Sequence, residues 1–113
     1  MSLSALTDAE RQLVQRCVWA AVEGPFFPEW EFPTLFGVSR EEARAVLEQW
    51  PGVDETEEAV HLTINNALNN LWGYPHHERA AWDLMIGVEP DEVYRVLAKW
   101  RGDFQRGYFD GML

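Results

Sequence analysis

The feature that most constrains this chain is an internal repeat with an offset of 50 residues. Sliding the sequence by that distance aligns residues 25–52 with residues 75–102 without a gap, and eight of the 28 paired positions are identical. Ordinary residue frequencies would give about two identities in such a window. The identical pairs include Gly37 with Gly87 and Trp50 with Trp100. The sequence therefore predicts one domain made of two similar units, spanning residues 7–52 and 57–102.

The residue pattern within each unit is helical. Thr7 followed by Glu10, and Ser39 followed by Glu42, are capping-box pairs that predict helix starts. Alternation of apolar and polar residues, which would indicate strands, is nearly absent. Both units carry an apolar stripe at helical spacing, formed by Val46, Leu47 and Trp50 and by Val96, Leu97 and Trp100. We predict an all-α, single-domain fold of two pseudo-symmetric helical repeats related by an approximate two-fold axis.

Size and composition favour one small cytoplasmic domain. The 113 residues include 47% hydrophobic residues and 6 Trp, 6 Phe and 3 Tyr, which is enough apolar surface for one core. The single cysteine, Cys17, excludes an internal disulfide framework and a cysteine-rich zinc module. No apolar run approaches the roughly 18 residues of a membrane helix, and residues 1–10 lack the features of a signal peptide. We therefore expect a cytoplasmic protein with no membrane partner.

Two segments outside the repeats have compositions of their own. The linker at residues 53–58 is acidic, and we interpret it as a solvated helix start, with an acidic recognition site as the alternative. The tail at residues 103–113 is too apolar for a solvated terminus. It contains the large apolar residues Phe104, Tyr108, Phe109, Met112 and Leu113. We expect the tail to fold back over the core, with a partner-binding peptide as the alternative.

A glycine turn precedes the second helix of each unit. Residues 33–39 contain Gly-Val-Ser before a capped helix at 40–50, and residues 83–100 repeat the arrangement around Gly87. The motif resembles a generic helix-turn-helix, in two tandem copies, without identifying a specific family. The resemblance implies DNA binding, but the helix at 40–50 has three acidic and two basic residues, and the whole chain has a net charge of −10. Because phosphate contacts need Lys and Arg, we do not expect a nucleic-acid partner.

A segment rich in asparagine and histidine gives a second candidate site. His61, Asn65 and Asn69 lie at i, i+4 and i+8 and share a helix face, and Tyr74 follows them. Three interpretations remain open for this face: a network of hydrogen bonds between helices, a recognition surface for a polar ligand or protein, or a catalytic or metal site. His61, His76 and His77 lack the spacing of metal ligands, so we predict no metal. No nucleophile or phosphate-binding motif is present, so we predict no catalytic residue and no cofactor.

Two tryptophans are candidates for an interface. Trp19 and Trp30 align with Asn69 and Ala80 in the other unit, so the repeat does not explain them. Trp50 and Trp100 correspond to each other and are expected to be structural. Tryptophan is enriched in binding hot spots, so we assign Trp19 and Trp30 to an interface.

These observations predict a small acidic protein-interaction or regulatory module. Its expected partner is a basic protein, which negative charge would attract, or a second copy of the chain. The alternative is a small ligand-binding domain or enzyme centred on His61, Asn65, Asn69 and Tyr74. An enzyme is the less favoured class, because the sequence has no recognisable catalytic set.

Overall fold

Six α-helices build the fold of residues 2–102, the part of the chain that the computed structural model describes. After a 3-10 turn at Leu3–Ala5, the helices are α1 (Asp8–Glu23), α2 (Phe32–Phe36), α3 (Arg40–Gln49), α4 (Glu58–Gly73), α5 (Arg79–Met85) and α6 (Pro90–Arg101). No strand occurs within residues 2–102, so the all-α prediction is confirmed. The predicted docking of the tail at 103–113 lies outside the described residues.

Local sequence signals set several of the helix starts. The Thr7 hydroxyl accepts a hydrogen bond from the Glu10 N–H at 3.1 Å, and the Glu10 carboxylate accepts one from the Thr7 N–H at 2.8 Å. Ser39 and Glu42 form the same reciprocal pair at the start of α3. Each pair satisfies backbone donors that a helix start leaves without partners. Both predicted capping boxes are therefore present.

Gly37 and Gly87 occupy similar turns, one after α2 and one after α5. Their φ angles are +74° and +79°, in the left-handed region that residues with a Cβ rarely adopt. The Gly37 N–H donates to the Pro33 carbonyl, and the Gly87 N–H donates to the Trp82 carbonyl. Glycine is therefore required at both positions for the chain to turn into the following helix.

The two long helices form the centre of a compact globule. α1 packs against α4, which also packs against α3 and α6, and α1 contacts α3. The facing sides of α1 and α4 are fully buried, at Val14, Cys17, Val18, Ile64, Ala67 and Leu68. The shorter α2 and α5 close the core with Phe32, Phe36 and Trp82. None of the helices among the described residues is long and apolar enough to cross a bilayer.

Trp50 and Trp100 differ in burial, although the repeat pairs them. Trp100 is fully buried inside α6, whereas Trp50 is only half-buried. α3 ends at Gln49, so Trp50 is the C-terminal cap of its helix and precedes Pro51. α6 continues to Arg101, which keeps Trp100 within the helix and against the core. The expectation that both tryptophans are structural is therefore met fully only by Trp100.

The acidic linker contains a structural carboxylate. Both carboxylate oxygens of Glu55 accept hydrogen bonds from the Leu3 N–H, at 3.0 and 3.1 Å, and one of them accepts the Trp100 indole N–H at 2.9 Å. Asp54 accepts hydrogen bonds from the hydroxyl and the N–H of Thr56, which lower the pKa of Asp54. Only part of the linker is therefore the solvated acidic surface that its composition predicts.

Candidate interaction surface

Both predicted interface tryptophans are exposed, and each lies in a segment that contacts α3. Trp19, on α1, is 42% exposed and lines a groove with Leu47 of α3. Trp30 is 78% exposed and follows Glu29, whose carboxylate is paired with Arg40 at the start of α3. We call this surface the α1/α3 face and define it by Trp19, Glu23, Glu29, Trp30, Glu41 and Leu47.

Arg40 fixes the loop that carries Trp30. Its guanidinium lies 4.3 Å from the centre of the Phe32 ring and donates to Glu29 at 2.8 Å. It also donates to three backbone carbonyls, those of Ala21, Val22 and Phe27, at 3.2, 2.5 and 2.9 Å. One side chain thus joins the end of α1, the loop and the start of α3. The planar fork of arginine suits such a set of partners.

Arg44 joins two carboxylates on the same face. It donates to Glu23 at 3.0 Å and to Glu41 at 2.7 Å. The hydrogen bond from Arg44 lowers the pKa of Glu23, so that this carboxylate is firmly ionised at neutral pH. The ion pairs therefore connect α1 to α3 beside the Trp19 groove.

The charges of the α1/α3 face are arranged in layers. The side chains of Arg40 and Arg44 are 12% and 31% exposed, whereas those of Glu29 and Glu41 are 80% and 82% exposed. The cations therefore lie underneath, and their carboxylate partners face solvent. Since charge at the surface is felt most strongly by an approaching molecule, this face presents negative charge despite its internal pairs.

The basic side chains of the described chain are all bound to internal partners. Arg16 donates to the Ile86 carbonyl at 2.8 Å, and Arg101 donates to Asn65 at 2.8 Å. The others lie in ion pairs with carboxylates, namely Arg11, Arg40, Arg44, Arg79, Arg95 and Lys99. Arg16 and Arg101 are thus bonded to uncharged groups, whereas the other six of these side chains are paired with carboxylates. The expectation that nucleic acid is not a partner stays a prediction, which the pairing of these cations with carboxylates supports.

Glu10 forms the most buried of these ion pairs. Its carboxylate lies 2.7 Å from Lys99 and 3.0 Å from Arg95, both on α6. The hydrogen bond from Lys99, followed by that from the Thr7 N–H, lowers the pKa of Glu10 to about 2. This cluster fixes α1 against α6 and is structural.

The asparagines of α4 contact two neighbouring helices. Asn66 and Asn70 donate to the carbonyls of Phe36 and Leu35, at 2.8 and 2.9 Å, where α2 ends. Asn65 accepts from Arg101 of α6 and donates to Asn66 at 3.0 Å. Asn69 is half-buried and makes no side-chain hydrogen bond within the described part of the chain. These contacts favour the hydrogen-bond network over a ligand site, although Asn66 and Asn70 serve it more directly than Asn69.

The six predicted binding residues fall in three places. His61, Asn65 and Asn69 lie along α4 beside α6, where the His61 ring lies 5.3 Å from that of Trp100. Tyr74 lies beyond the other end of α4, about 20 Å further along the helix axis. Its hydroxyl donates to Glu31 at 2.5 Å, and this bond raises the pKa of Tyr74. Tyr74 therefore does not share a site with His61, whereas Trp19 and the loop that carries Trp30 both lie beside α3.

The side chains of the described residues that could serve catalysis or bind a metal do not converge on one point. Cys17 is fully buried in the core, and burial raises the pKa of its thiol to about 12. Across residues 2–102, no group of three His, Cys, Asp or Glu side chains is arranged to hold a metal ion. The described residues therefore offer neither a reactive thiol nor a metal centre.

Sequence reasoning missed two exposed apolar side chains, Trp72 and Leu84. Trp72 stacks on Tyr94 with the ring centres 4.4 Å apart. It aligns with Val22 in the other unit, so Trp72, like Trp19 and Trp30, has no aromatic counterpart at the 50-residue offset, and the repeat could have identified it.

Comparison of the chain with protein-family models, with curated proteins and with solved structures gave no match.

Proposed function

We propose that this protein is a small acidic interaction module that binds a basic protein through the α1/α3 face. The observation that carries the proposal is the layered charge of that face, with carboxylates above their arginine partners. A basic surface approaching it would meet Glu29 and Glu41 first. Complementary charge of this kind speeds encounter and selects partners.

The two exposed tryptophans would provide the anchors of the interface. Trp19 lies beside the groove formed with Leu47, and Trp30 extends from a loop that Arg40 holds in place. Large aromatic side chains on a fixed backbone lose little entropy on binding, and they commonly dominate interface energetics. The partner would therefore combine basic residues with an apolar surface that receives the two indoles.

We further propose that the domain spans residues 1–113 and consists of two repeats that have diverged. α1 and α4 each have 16 residues and begin 50 residues apart, which supports this origin. Trp19 and Trp30 have no aromatic counterparts in the second unit, so the interface would belong to the first. We place the protein in the cytoplasm, since its single cysteine is a free thiol.

A ligand site or active centre at His61, Asn65 and Asn69 has less support. The Asn65 amide is bonded to Arg101 and Asn66, and the His61 ring lies against Trp100. Only Asn69 keeps a free amide among the described residues of that face. A single free amide provides too few polar contacts to recognise a substrate.

Affinity capture with matched variants tests the proposed function. The full chain, immobilised, is used to capture proteins from a native lysate of its source, and each captured protein is purified and titrated directly. Trp19→Ser/Trp30→Ser removes both anchors. Leu84→Ser is the control, because it removes an exposed apolar side chain of α5 without touching the α1/α3 face.

The expected result is a basic protein that binds the chain and its Leu84→Ser variant equally. The tryptophan variant should bind it at least about 30-fold more weakly, since an anchor pair contributes more than about 2 kcal/mol. Affinity should also fall as salt is raised. Equal binding by the tryptophan variant, or a partner whose affinity ignores salt, would refute the proposal.

A further inference from the structure

A cavity of about 270 Å³ lies between the end of α4 and the start of α5. It is separate from the α1/α3 groove. Its walls are mainly rings, contributed by Trp72, Tyr74, His76 and Trp82. Glu78 and Arg79 complete the lining, together with Leu71, His77 and the flanking prolines.

The polar atoms of these rings are directed to internal partners. The Tyr74 hydroxyl is bonded to Glu31, and the Trp82 indole N–H donates to the Val88 carbonyl at 2.6 Å. In His76, Nδ1 accepts from the Glu78 N–H at 3.1 Å, and Nε2 lies 3.2 Å from the Leu71 carbonyl oxygen. Both ring nitrogens of His76 therefore have partners within the described chain. What these three side chains offer a ligand is therefore their ring surface.

The stacking of the rings keeps those surfaces in place. The rings of His76 and Trp82 are parallel within 13°, with their centres 5.7 Å apart. Phe26 meets His76 edge-on from the core side at 4.9 Å. Trp72 is held against Tyr94 on α6. The aromatic wall is thus already formed in the absence of a ligand.

Among the described residues that line the cavity, one carboxylate has no cationic partner. The Arg79 guanidinium is paired with Asp83 at 3.1 Å and with Glu89 at 3.6 Å. The Glu78 carboxylate has no partner within residues 2–102. His77, exposed on the same loop, adopts a φ of +57°, a conformation that histidine tolerates better than most residues. A carboxylate beside several ring surfaces is the combination that favours a positively charged organic group.

We propose that this cavity binds an organic cation, with the ring surfaces of Trp72 and Tyr74 facing the charge and Glu78 as its counter-ion. The cation could be a lysine or arginine side chain of a protein, in which case the inference rests on the proposed function, or a free molecule of the choline type. Both sources share the same chemistry. Small probes can therefore test the site without the protein partner.

Binding is measured by titrating the full chain with three probes and following the indole N–H signals by NMR. The probes are choline, N-acetyl-lysine methylamide and N-acetyl-arginine methylamide. 3,3-Dimethylbutanol, which has the shape of choline without its charge, is the matched neutral ligand. Glu78→Gln removes the counter-charge and Trp72→Leu removes a wall, while Glu48→Gln removes an exposed carboxylate of α3 elsewhere on the surface.

We expect millimolar binding of at least one cationic probe and none of the neutral analogue. Affinity should fall by about fivefold or more in both cavity variants and stay unchanged in Glu48→Gln. If a capped amino acid binds more tightly than choline, the natural ligand is a protein side chain. If choline binds more tightly, the natural ligand is a free cation. Absence of binding by all three cations, or equal binding by Glu78→Gln, overturns the inference.

The Glu78→Gln variant should fold normally, because its carboxylate makes no contact that the fold uses. A circular dichroism melt checks this point. The probe titration also tests the cavity independently of the proposed function, since Trp19→Ser/Trp30→Ser should keep full affinity for the probes. If the probes fail while lysate capture succeeds, only the cavity inference falls.

Discussion

The indole N–H of Trp100 donates a 2.9 Å hydrogen bond to Glu55, a residue 45 positions away in the linker. The same carboxylate accepts the backbone N–H of Leu3. Three parts of the chain that are distant in sequence therefore meet at one side chain: the N-terminal turn, the linker and α6. Because Trp100 and Leu3 are both buried, removal of the carboxylate would take the hydrogen-bond partner from two buried N–H groups.

Replacing Glu55 should therefore destabilise the protein. We expect Glu55→Ala to lower the free energy of unfolding by about 1–3 kcal/mol, the cost of leaving buried donors unsatisfied. Urea unfolding followed by tryptophan fluorescence measures the loss. Glu57→Ala is the control in the same linker, since that side chain is exposed, and its effect should stay within about 0.5 kcal/mol. Equal effects of the two substitutions would contradict a structural role for Glu55.

The asparagines of α4 should separate into structural and neutral positions. Asn66→Ala/Asn70→Ala leaves the Phe36 and Leu35 carbonyls without their donors, and we expect a loss of about 2 kcal/mol in unfolding free energy. Asn69→Ala removes no hydrogen bond among residues 2–102 and improves helix propensity, so stability should be unchanged or slightly higher. Thermal melts of both variants make the comparison. If the double variant is as stable as the native protein, the two amides do not hold α2 in place.

Glu10 should make the stability depend on pH in the acidic range. Its pKa is lowered to about 2 in the folded protein, from an ordinary value of 4.5. The carboxylate therefore contributes stability that is fully present above about pH 4.5 and is lost as the pH falls towards 2. At pH 7 we expect Glu10→Gln to cost on the order of 2 kcal/mol, and less at pH 3.

Urea unfolding of both proteins at the two pH values tests this expectation. Glu48→Gln serves as the control, because Glu48 is exposed and has no cationic partner in the described chain. The free energies of unfolding of the native protein and Glu10→Gln are compared at each pH. If their difference is the same at pH 7 and pH 3, the ionised pair is not the cause of the lost stability.

Arg40→Lys should be costly although it conserves charge. A single ammonium group cannot reach three carbonyls and Glu29 at once while covering the Phe32 ring. We expect a loss of about 1–3 kcal/mol and faster proteolysis of the loop that carries Trp30. Arg79→Lys, at an exposed ion pair, should change little. Unchanged stability and proteolysis in Arg40→Lys would refute the anchoring role.

Cys17 should be unreactive in the native protein. Its thiol is fully buried and its pKa is raised to about 12, so the reactive thiolate is scarce at neutral pH. Iodoacetamide at pH 8 should label the protein only after denaturant is added, as measured by mass spectrometry. Labelling of the native chain at the rate of a free thiol would contradict the assigned burial.

The starts of α1 and α3 could be predicted from the sequence, because a capping box is a local pattern. Thr7 and Ser39 act within three residues of the helices that they begin. The roles of Glu55 and Arg40 could not, because their partners lie 11 to 52 residues away and meet only after the helices pack. Long-range hydrogen bonds leave no periodic mark on the sequence.

The candidate site was predictable only in part. The repeat singled out Trp19 and Trp30 because their positions lack counterparts, and both are exposed. The layering of carboxylates above arginines depends on tertiary structure, since it compares side chains of α1, α3 and a loop. For the asparagines, spacing identified one face, but it could not show that α2 ends beside Asn66 and Asn70.

The contact between α2 and α4 also bears on how such a chain could have arisen. A helix end leaves its last carbonyls without partners, and for α2 the missing donors are amides from the opposite half of the sequence. On the proposed duplication, a twin molecule would have supplied these donors to an ancestor half as long. The present protein would then be a fused dimer, in which a former boundary between subunits has become part of the interior.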